Sequence, residues 1–388
     1  RPSVCPQCQA EEALAAIGPG VERLQEEVAA LFPQARTMVL ASDGAYGPFA
    51  DEAAITAACR GTPKAITEQI IKHSLAKGGR DNASLILGAC SIGGGQAGNS
   101  VTVTIQNNAS LIMSNNNFDV HNINRSTAVS TMRLNGGTLG VAGFTKTRTT
   151  YTNVIAFNGG WLMKTGTAPG LGFLPAHSTQ SAIVQAGGAK INGSFITIAQ
   201  PLTHDPALGS TPDGGLTIWG LVELTGNNTY TGPTTILFGA LFVSSTNAIA
   251  ATPSIYTASG CDLDTTAAST FTLTNCKLWG NGTVNGQITL GPGALLAPGS
   301  NQIGRFTLVQ TATFAAGSTN LLELNKTLLT NDTVAAWQSL ALGGTLVVTN
   351  LSGTLAAGDS FKLFDGTVNG NFAAVNLPPL NPGLIWTN

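Results

Sequence analysis

Leu224-Thr-Gly-Asn-Asn-Thr-Tyr-Thr-Gly232, with its continuation Pro233 to Ile249, decides the fold. Apolar residues at Leu216, Ile218, Leu221, Val222 and Leu224 lead into it as a strand. An Asn/Gly/Thr turn follows. A second strand is expected from Thr234 to Leu237, then a Gly-Ala turn at Gly239-Ala240, then a third strand from Leu241 to Val243. Strand, turn, strand, turn, strand in so short a stretch reads as one coil of something that repeats.

The repeat is visible elsewhere. Asn135-Gly-Gly-Thr-Leu139 recurs as Asn158-Gly-Gly-Trp-Leu162, Ala186-Gly-Gly-Ala-Lys190 and Asp213-Gly-Gly-Leu-Thr217. The first glycines of these pairs are separated by 23, 28 and 27 positions. Gly343-Gly-Thr-Leu-Val347 is a late echo. Such steps suit stacked supersecondary units, none of which buries its apolar face alone. The glycine pairs offer positive φ where a coil turns a corner. Asparagines at equivalent corners (Asn107, Asn108, Asn115 to Asn117, Asn227, Asn228) are placed to hydrogen-bond between coils. Val101, Val103 and Ile105 alternate with Thr102, Thr104 and Gln106, the period of a half-buried strand. No segment after residue 100 carries a capped helical stripe. The uneven steps, and the absence of a Trp-Asp blade signature, favour a right-handed parallel β-helix (a β-solenoid) over 101–388 against a sandwich or a propeller.

Composition agrees. The chain has 388 residues, 47 of them Gly, and only 10% are charged, which is low for a soluble domain. A net charge of −2 gives no general attraction to nucleic acid or anionic membranes. Six cysteines are too few and too scattered for a disulfide framework. The chain starts at Arg1 with no visible signal peptide and no apolar run of transmembrane length, and so reads as a fragment.

Charge is unevenly spread. Residues 1–90 hold 8 Lys/Arg and 10 Asp/Glu of the chain's 18 and 20. The break falls at the Gly-rich linker 91–100, and what precedes it reads as a small α+β segment. Val21, Leu24, Val28 and Leu31 share a helical face that Pro33 ends. Thr37 to Ala41 is a short strand. Thr62-Pro63 opens a second helix, with Ile66 and Ile70 inward and Gly78-Gly79 at its end. Ala83 to Leu87 is a strand again.

On these residues the chain resembles known families. Leu224 to Ile236, Gly239-Ala-Leu241 and Asn247-Ala-Ile249 resemble the autotransporter-associated β-strand repeat of large exported bacterial proteins. Phe157 to Leu162, Val184 to Ala189 and Ile196 to Gln200 are similar to the coils that precede that repeat. Gly280 to Gly299 and Leu340 to Phe364 are similar to those that close it. This resemblance spans about residues 92–388. It implies a non-enzymatic passenger rod for display or adhesion at an extracellular or cell-surface location, with surface glycans or host-cell ligands as partners. Cys5-Pro-Gln-Cys8, Ile17 to Leu24 and Glu27 to Leu40 resemble the region after the zinc-binding cysteines of the primosomal replication-restart helicase, over about 1–40. Leu40-Ala-Ser-Asp-Gly44 and Gly79-Arg-Asp-Asn-Ala-Ser84 resemble the last third of PPM-type metal-dependent protein phosphatases, over about 38–90. That likeness implies Asp43 and Asp81 as ligands of Mg or Mn, with the rest of the metal cluster missing. Three resemblances in succession, two of them truncated, imply a chimeric reading frame.

Other candidates weigh less. Cys5 and Cys8 are half of a four-ligand zinc site, and no second C-x-x-C exists. Gly93-Gly-Gly-Gln-Ala-Gly98 fits G-x-G-x-x-G, but the strand at Val101 follows where a dinucleotide site needs a helix. His73, His121, His177 and His204 are isolated. His204-Asp205 is half of an acid–base pair at most, and Asp205-Pro206 reads as a turn. No G-x-S-x-G is present. Cys261 and Cys276 either pair across adjacent strands or are two small buried apolar residues, the latter favoured. Triplets such as Asn281-Gly-Thr283 arise by chance in an Asn/Thr-rich chain. A carbohydrate-active β-helix, or residual phosphatase activity at the N-terminal end, are the alternatives to a non-enzymatic rod.

Overall fold

The structure is a computed structural model. It describes residues 101–387 apart from short breaks at 108, 114–116, 120–128, 147–151, 167–169, 245–246, 269–270 and 300–301. It also describes two strands before them, Ser84–Ile86 and Cys90–Ser91. Of the described residues 54% are strand and 1% helix, the helix being one 3-10 turn at Pro206–Leu208. The N-terminal helices expected before residue 80, and Cys5, Cys8, Asp43, His73, Asp81, Gly93 to Gly98 and His121, lie outside the described residues.

Pairing is parallel almost throughout and advances along the sequence. In one five-stranded sheet, Val101–Gln106, Ser130–Asn135, Asn153–Phe157, Gln180–Val184 and Leu202–His204 stack in chain order. Alternate side chains turn inward, so the register writes three inward columns. Two are apolar: Val103–Met132–Ile155–Ala182–Leu202, and Ile105–Leu134–Phe157–Val184 with His204 at its end. The third is polar, Ser130–Asn153–Gln180. A fully buried Leu, Ile or Phe contributes about 1.5–3 kcal/mol, and the members of these columns from Met132 and Leu134 to Val184 and Leu202 are at most 4% exposed.

The largest sheet holds 23 strands because several long strands bend and take part in two ladders. Ala189–Ile198, Leu216–Leu224 and Thr234–Val243 pair side by side along most of their length, interrupted only by small register shifts. Here the sequence expectation needs correcting. Gly239-Ala240 is not a turn between two strands. Thr234–Val243 is one strand that bends at Gly239 while Ala240 stays in register with Leu221. The bend is a column of glycines: Gly193, Gly220 (φ 127°) and Gly239 (φ 78°) are successive partners. A Cβ on Gly220 would lie 2.1 Å from the Gly193 carbonyl oxygen, and one on Gly239 would lie 2.2 Å from that of Gly220. Positive φ and the absent side chain are therefore both needed.

Further along, Ser254–Thr257, Lys277–Gly280 and Leu295–Pro298 continue one ladder, and Asp262–Asp264 and Thr283–Asn285 continue the next. Parallel pairing runs on as far as Ala374–Asn376. Towards the N-terminus Ser84–Ile86, inside the strand expected from Ala83 to Leu87, pairs in parallel with Ser110–Ile112. Asn228 hydrogen-bonds between neighbours as its corner position led us to expect. Its Oδ1 accepts the Leu202 N–H at 2.7 Å and its Nδ2 donates to the Ala248 carbonyl at 2.6 Å. Among the described residues no helix is long and apolar enough to cross a membrane.

Candidate functional site

His204 stands where the column Leu134–Phe157–Val184 would place another apolar residue. The strand ends there. Asp205 caps the 3-10 turn Pro206–Leu208, its Oδ1 accepting the Ala207 N–H at 2.9 Å and its Oδ2 accepting from Gln185 at 2.7 Å. These bonds hold the Asp205 carboxyl below the usual carboxylate range, that of Gln185 foremost. Asp205 is thus the turn residue expected; its hydrogen bonds go to Gln185 and Ala207, and it adds only a minor charge effect to His204.

The carboxylate partner of His204 is Asp213, which arrives as the chain returns from the turn. His204 Nδ1 lies 2.9 Å from Asp213 Oδ2 and 3.0 Å from Thr231 Oγ1. Asp213 is 4% exposed and is met by backbone donors: Gly215 and Gly232 on Oδ1 at 2.9 Å each, and Thr231 on Oδ2 at 2.8 Å. Burial alone would raise its pKa. The Thr231 N–H, the His204 ring and the Gly215 and Gly232 N–H groups outweigh it, and the carboxyl sits below its ordinary range.

A histidine, a buried aspartate and a hydroxyl are the ingredients of nucleophilic catalysis, but their arrangement is wrong for it. A general base needs one ring nitrogen on the carboxylate and the other on the hydroxyl. Here both Asp213 and Thr231 face Nδ1, and Nε2 points at the Gly209 carbonyl at 3.2 Å. Both ring nitrogens have acceptors, which favours the doubly protonated imidazolium. The His204 pKa is accordingly raised, mainly by the hydrogen bond to Asp213. The cluster is a clamp on the 205–213 segment. Sequence reading paired His204 with its neighbour Asp205 and counted Asp213, with Glu223, only as a sparse carboxylate, not as its partner. The available signal was the register, in which a histidine replaces an apolar residue at the end of an inward column.

A second polar cluster lies at the opposite end of the same strands, where Asn153 and Gln180 are the first residues of theirs and His204 is the last of its own. Asn153 Nδ2 donates to Gln180 Oε1 at 2.9 Å, and Gln200 Nε2 to the Gln180 carbonyl at 2.8 Å. The buried Lys146 places its ammonium on Asn153 Oδ1 (2.6 Å), Thr179 Oγ1 (2.6 Å) and the Thr179 carbonyl (3.0 Å). Three donors meet three oxygens, so no proton is spare for a ligand. Burial lowers the Lys146 pKa. Burial, and then the charge of Lys146, lower that of His177. His177, Gln180, Gln200 and Thr203 line a cleft of about 420 Å³ whose walls contain no Asp or Glu. A glycoside-cleaving groove needs a pair of carboxylates, and this cleft has none.

The third cluster is acidic. Asp332, fully buried, accepts the Gly304 N–H at 2.7 Å and the Glu323 N–H at 2.8 Å. Glu323 is 9% exposed and its Oε2 has no hydrogen-bond partner. Burial pushes the Asp332 carboxyl up to about 7, and the neighbouring Glu323 adds to it. Burial likewise raises Glu323, which Lys277 opposes. Cys261 and Cys276 are both buried and unpaired. Among the described residues no group of three or more His, Cys, Asp and Glu side chains is placed to hold a metal ion. Asp43 and Asp81 lie outside those residues.

Comparison with known proteins gives one kind of match. Over 46 residues the chain is 46% identical to the replication restart protein PriA of Rickettsia conorii, and equally to that of Rickettsia felis. The likeness is to a piece of PriA. Each alignment covers 12% of this chain and 7% of the relative, so the chain spans only a small fraction of the curated proteins it matches. No family model matches the chain, and no solved structure does.

Proposed function

We propose that the stacked parallel ladders form a right-handed β-helix and that the chain is a non-enzymatic rod, part of an exported bacterial surface protein that displays or adheres. The observation that carries this reading is the occupancy of His204. The best-placed histidine in the described residues spends both ring nitrogens on holding a turn, on Asp213 and on Gly209. Two further features support it: parallel pairing that advances from Val101 to Asn376, and a cleft without carboxylates. On this reading the partners are cell-surface glycans or other surface ligands, and the location is extracellular.

Small-angle scattering of the purified chain tests the shape, with an elongated particle expected and a compact globule sinking the rod. Assays for reducing-sugar release, and for aryl-phosphate hydrolysis with manganese, test the rest. No turnover is expected from either, and turnover lost in Asp43→Ala would transfer the function to the N-terminal segment.

A further inference from the structure

One outward face of the large sheet carries an aromatic stripe that sequence spacing does not show. Register aligns two outward columns. The first runs Trp161–Lys190–Thr217–Thr235–Tyr256–Trp279, one residue per step. The second runs Met163–Asn192–Trp219–Phe238 beside it. Three of the chain's five tryptophans stand in these columns. Adjacent strands are about 4.8 Å apart, so Trp161 and Trp279 are separated by about 24 Å along the ladder.

The central pair is presented in the open, while Trp161, Tyr256 and Trp279 are half-buried. Trp219 and Phe238 are 44% and 58% exposed, and they stack with centroids 5.7 Å apart and planes 20° apart. Tyr256 and Trp279 meet at 4.5 Å. Large exposed aromatic surface is unfavourable in water and marks an interaction site. Hydroxyls and an amide (Thr217, Thr235, Asn192) lie between the rings, so the strip alternates apolar faces with hydrogen-bonding groups.

Charge selects among occupants. Lys277 places its ammonium 4.7 Å from the centre of the Trp279 ring, and Lys190 lies 6.0 Å from that of Trp161. Neither column contains an Asp or a Glu. The stripe therefore has a ring paired with a cation at each end, stacked rings between, and no carboxylate within either column, Glu323 being the acidic group that feels Lys277 from outside them. It follows the sheet face and is not the cleft at His177. A protein partner is anchored by side chains that fill desolvated pockets. A flat strip of rings, hydroxyls and cations instead matches an extended sugar chain that offers C–H faces, hydroxyls and carboxylates in turn.

We propose that this stripe binds an acidic, uronate-bearing polysaccharide lying along the ladder, with Trp161/Lys190 and Lys277/Trp279 as outer subsites and Trp219/Phe238 as the central stacking platform. The assignment rests on the adhesion reading and gives it a ligand class.

The test is titration of the full chain with an oligogalacturonate and with a neutral oligogalactan of matched length, read by tryptophan fluorescence and calorimetry. The acidic oligomer is expected to bind in preference, with an affinity that falls as salt is added. Trp219→Ala and Phe238→Ala, both at exposed positions, are each expected to weaken binding about tenfold by removing a stacking face. Trp219→Tyr should restore most of the loss, and circular dichroism should report an unchanged fold. Lys190→Glu with Lys277→Glu should abolish the preference for the acidic oligomer. Equal binding of both oligomers would overturn the ligand class. Self-association of the chain that is lost in Trp219→Ala would overturn the proposal in favour of a second copy as the occupant. Scattering on the same sample separates the two readings. An elongated particle that binds neither oligomer overturns the stripe alone, and a compact particle overturns the rod and the stripe with it.

Discussion

Asp213 and Asp332 are buried to almost the same degree, 4% and 0% exposed, and yet they titrate in opposite directions. Asp213 lies where the chain folds back on itself, and three backbone N–H groups and a histidine converge on its two oxygens. Asp332 receives two N–H groups and faces a second buried carboxyl with an unsatisfied oxygen. Burial costs both of them. The number of donors, and the sign of the nearest charge, decide whether the ionised or the neutral form is held. The same ladder thus builds one anionic clamp and one acidic pair that resists ionisation.

The largest expected effect comes from removing the better-served carboxylate. Asp213→Ala leaves three N–H groups and the His204 ring without their acceptor, and should cost about 3–5 kcal/mol, read from urea unfolding. A loss near that of an ordinary surface substitution would show that these donors find water instead.

The poorly served carboxylate comes next, through pH. Its folded pKa, about 7, is above the ordinary carboxylate value. The folded state therefore holds a proton that the unfolded state has released. The contribution to stability is complete below about pH 4 and disappears as the pH rises through about 7, a change of up to about 4 kcal/mol. Asp332→Asn should flatten the dependence of the urea midpoint on pH across that interval. An unchanged slope would assign the proton elsewhere.

His204 sharpens the contrast from the clamp side. Its pKa is raised above 6.5, chiefly by Asp213, so its stabilising effect is present at lower pH and fades as pH rises through the raised value. Amide exchange in the 205–212 segment should quicken, beyond its intrinsic increase, when pH is raised from about 6 to about 8. His204→Gln should show no such excess. The smallest effect is expected at Asp205→Ala, which removes only the cap of a short turn at a cost of about 0.5 kcal/mol.

Much of the ladder was legible in the sequence because its causes are local. Period-two alternation marks Val101–Gln106, and Gly pairs mark the corners between strands. Gly239 misled because Gly-Ala reads as a turn by composition, whereas the hydrogen-bond ladder continues through the bend on both sides. Site geometry was less legible because it depends on register. His204 and Asp205 are adjacent in sequence but face different partners once the 3-10 turn intervenes. The aromatic stripe was hidden for a related reason. The rings of one column, Trp161, Tyr256 and Trp279, are 95 and 23 residues apart, since non-aromatic residues stand between them and the length of chain between successive partners varies from Leu162↔Ile191 to Leu216↔Thr234. The preference for two small buried residues at Cys261 and Cys276 agrees with the structure, because a cysteine inside an apolar ladder packs like any small side chain.

Those two thiols give the ladder a built-in clock. Burial holds Cys276 at about 12, so almost none of it is thiolate at neutral pH, and Cys261 is displaced in the same direction. An alkylating reagent can modify them only in molecules whose rungs have momentarily separated. The rate of labelling at these two positions therefore counts how often the middle of the stack comes apart, with no substitution in the chain.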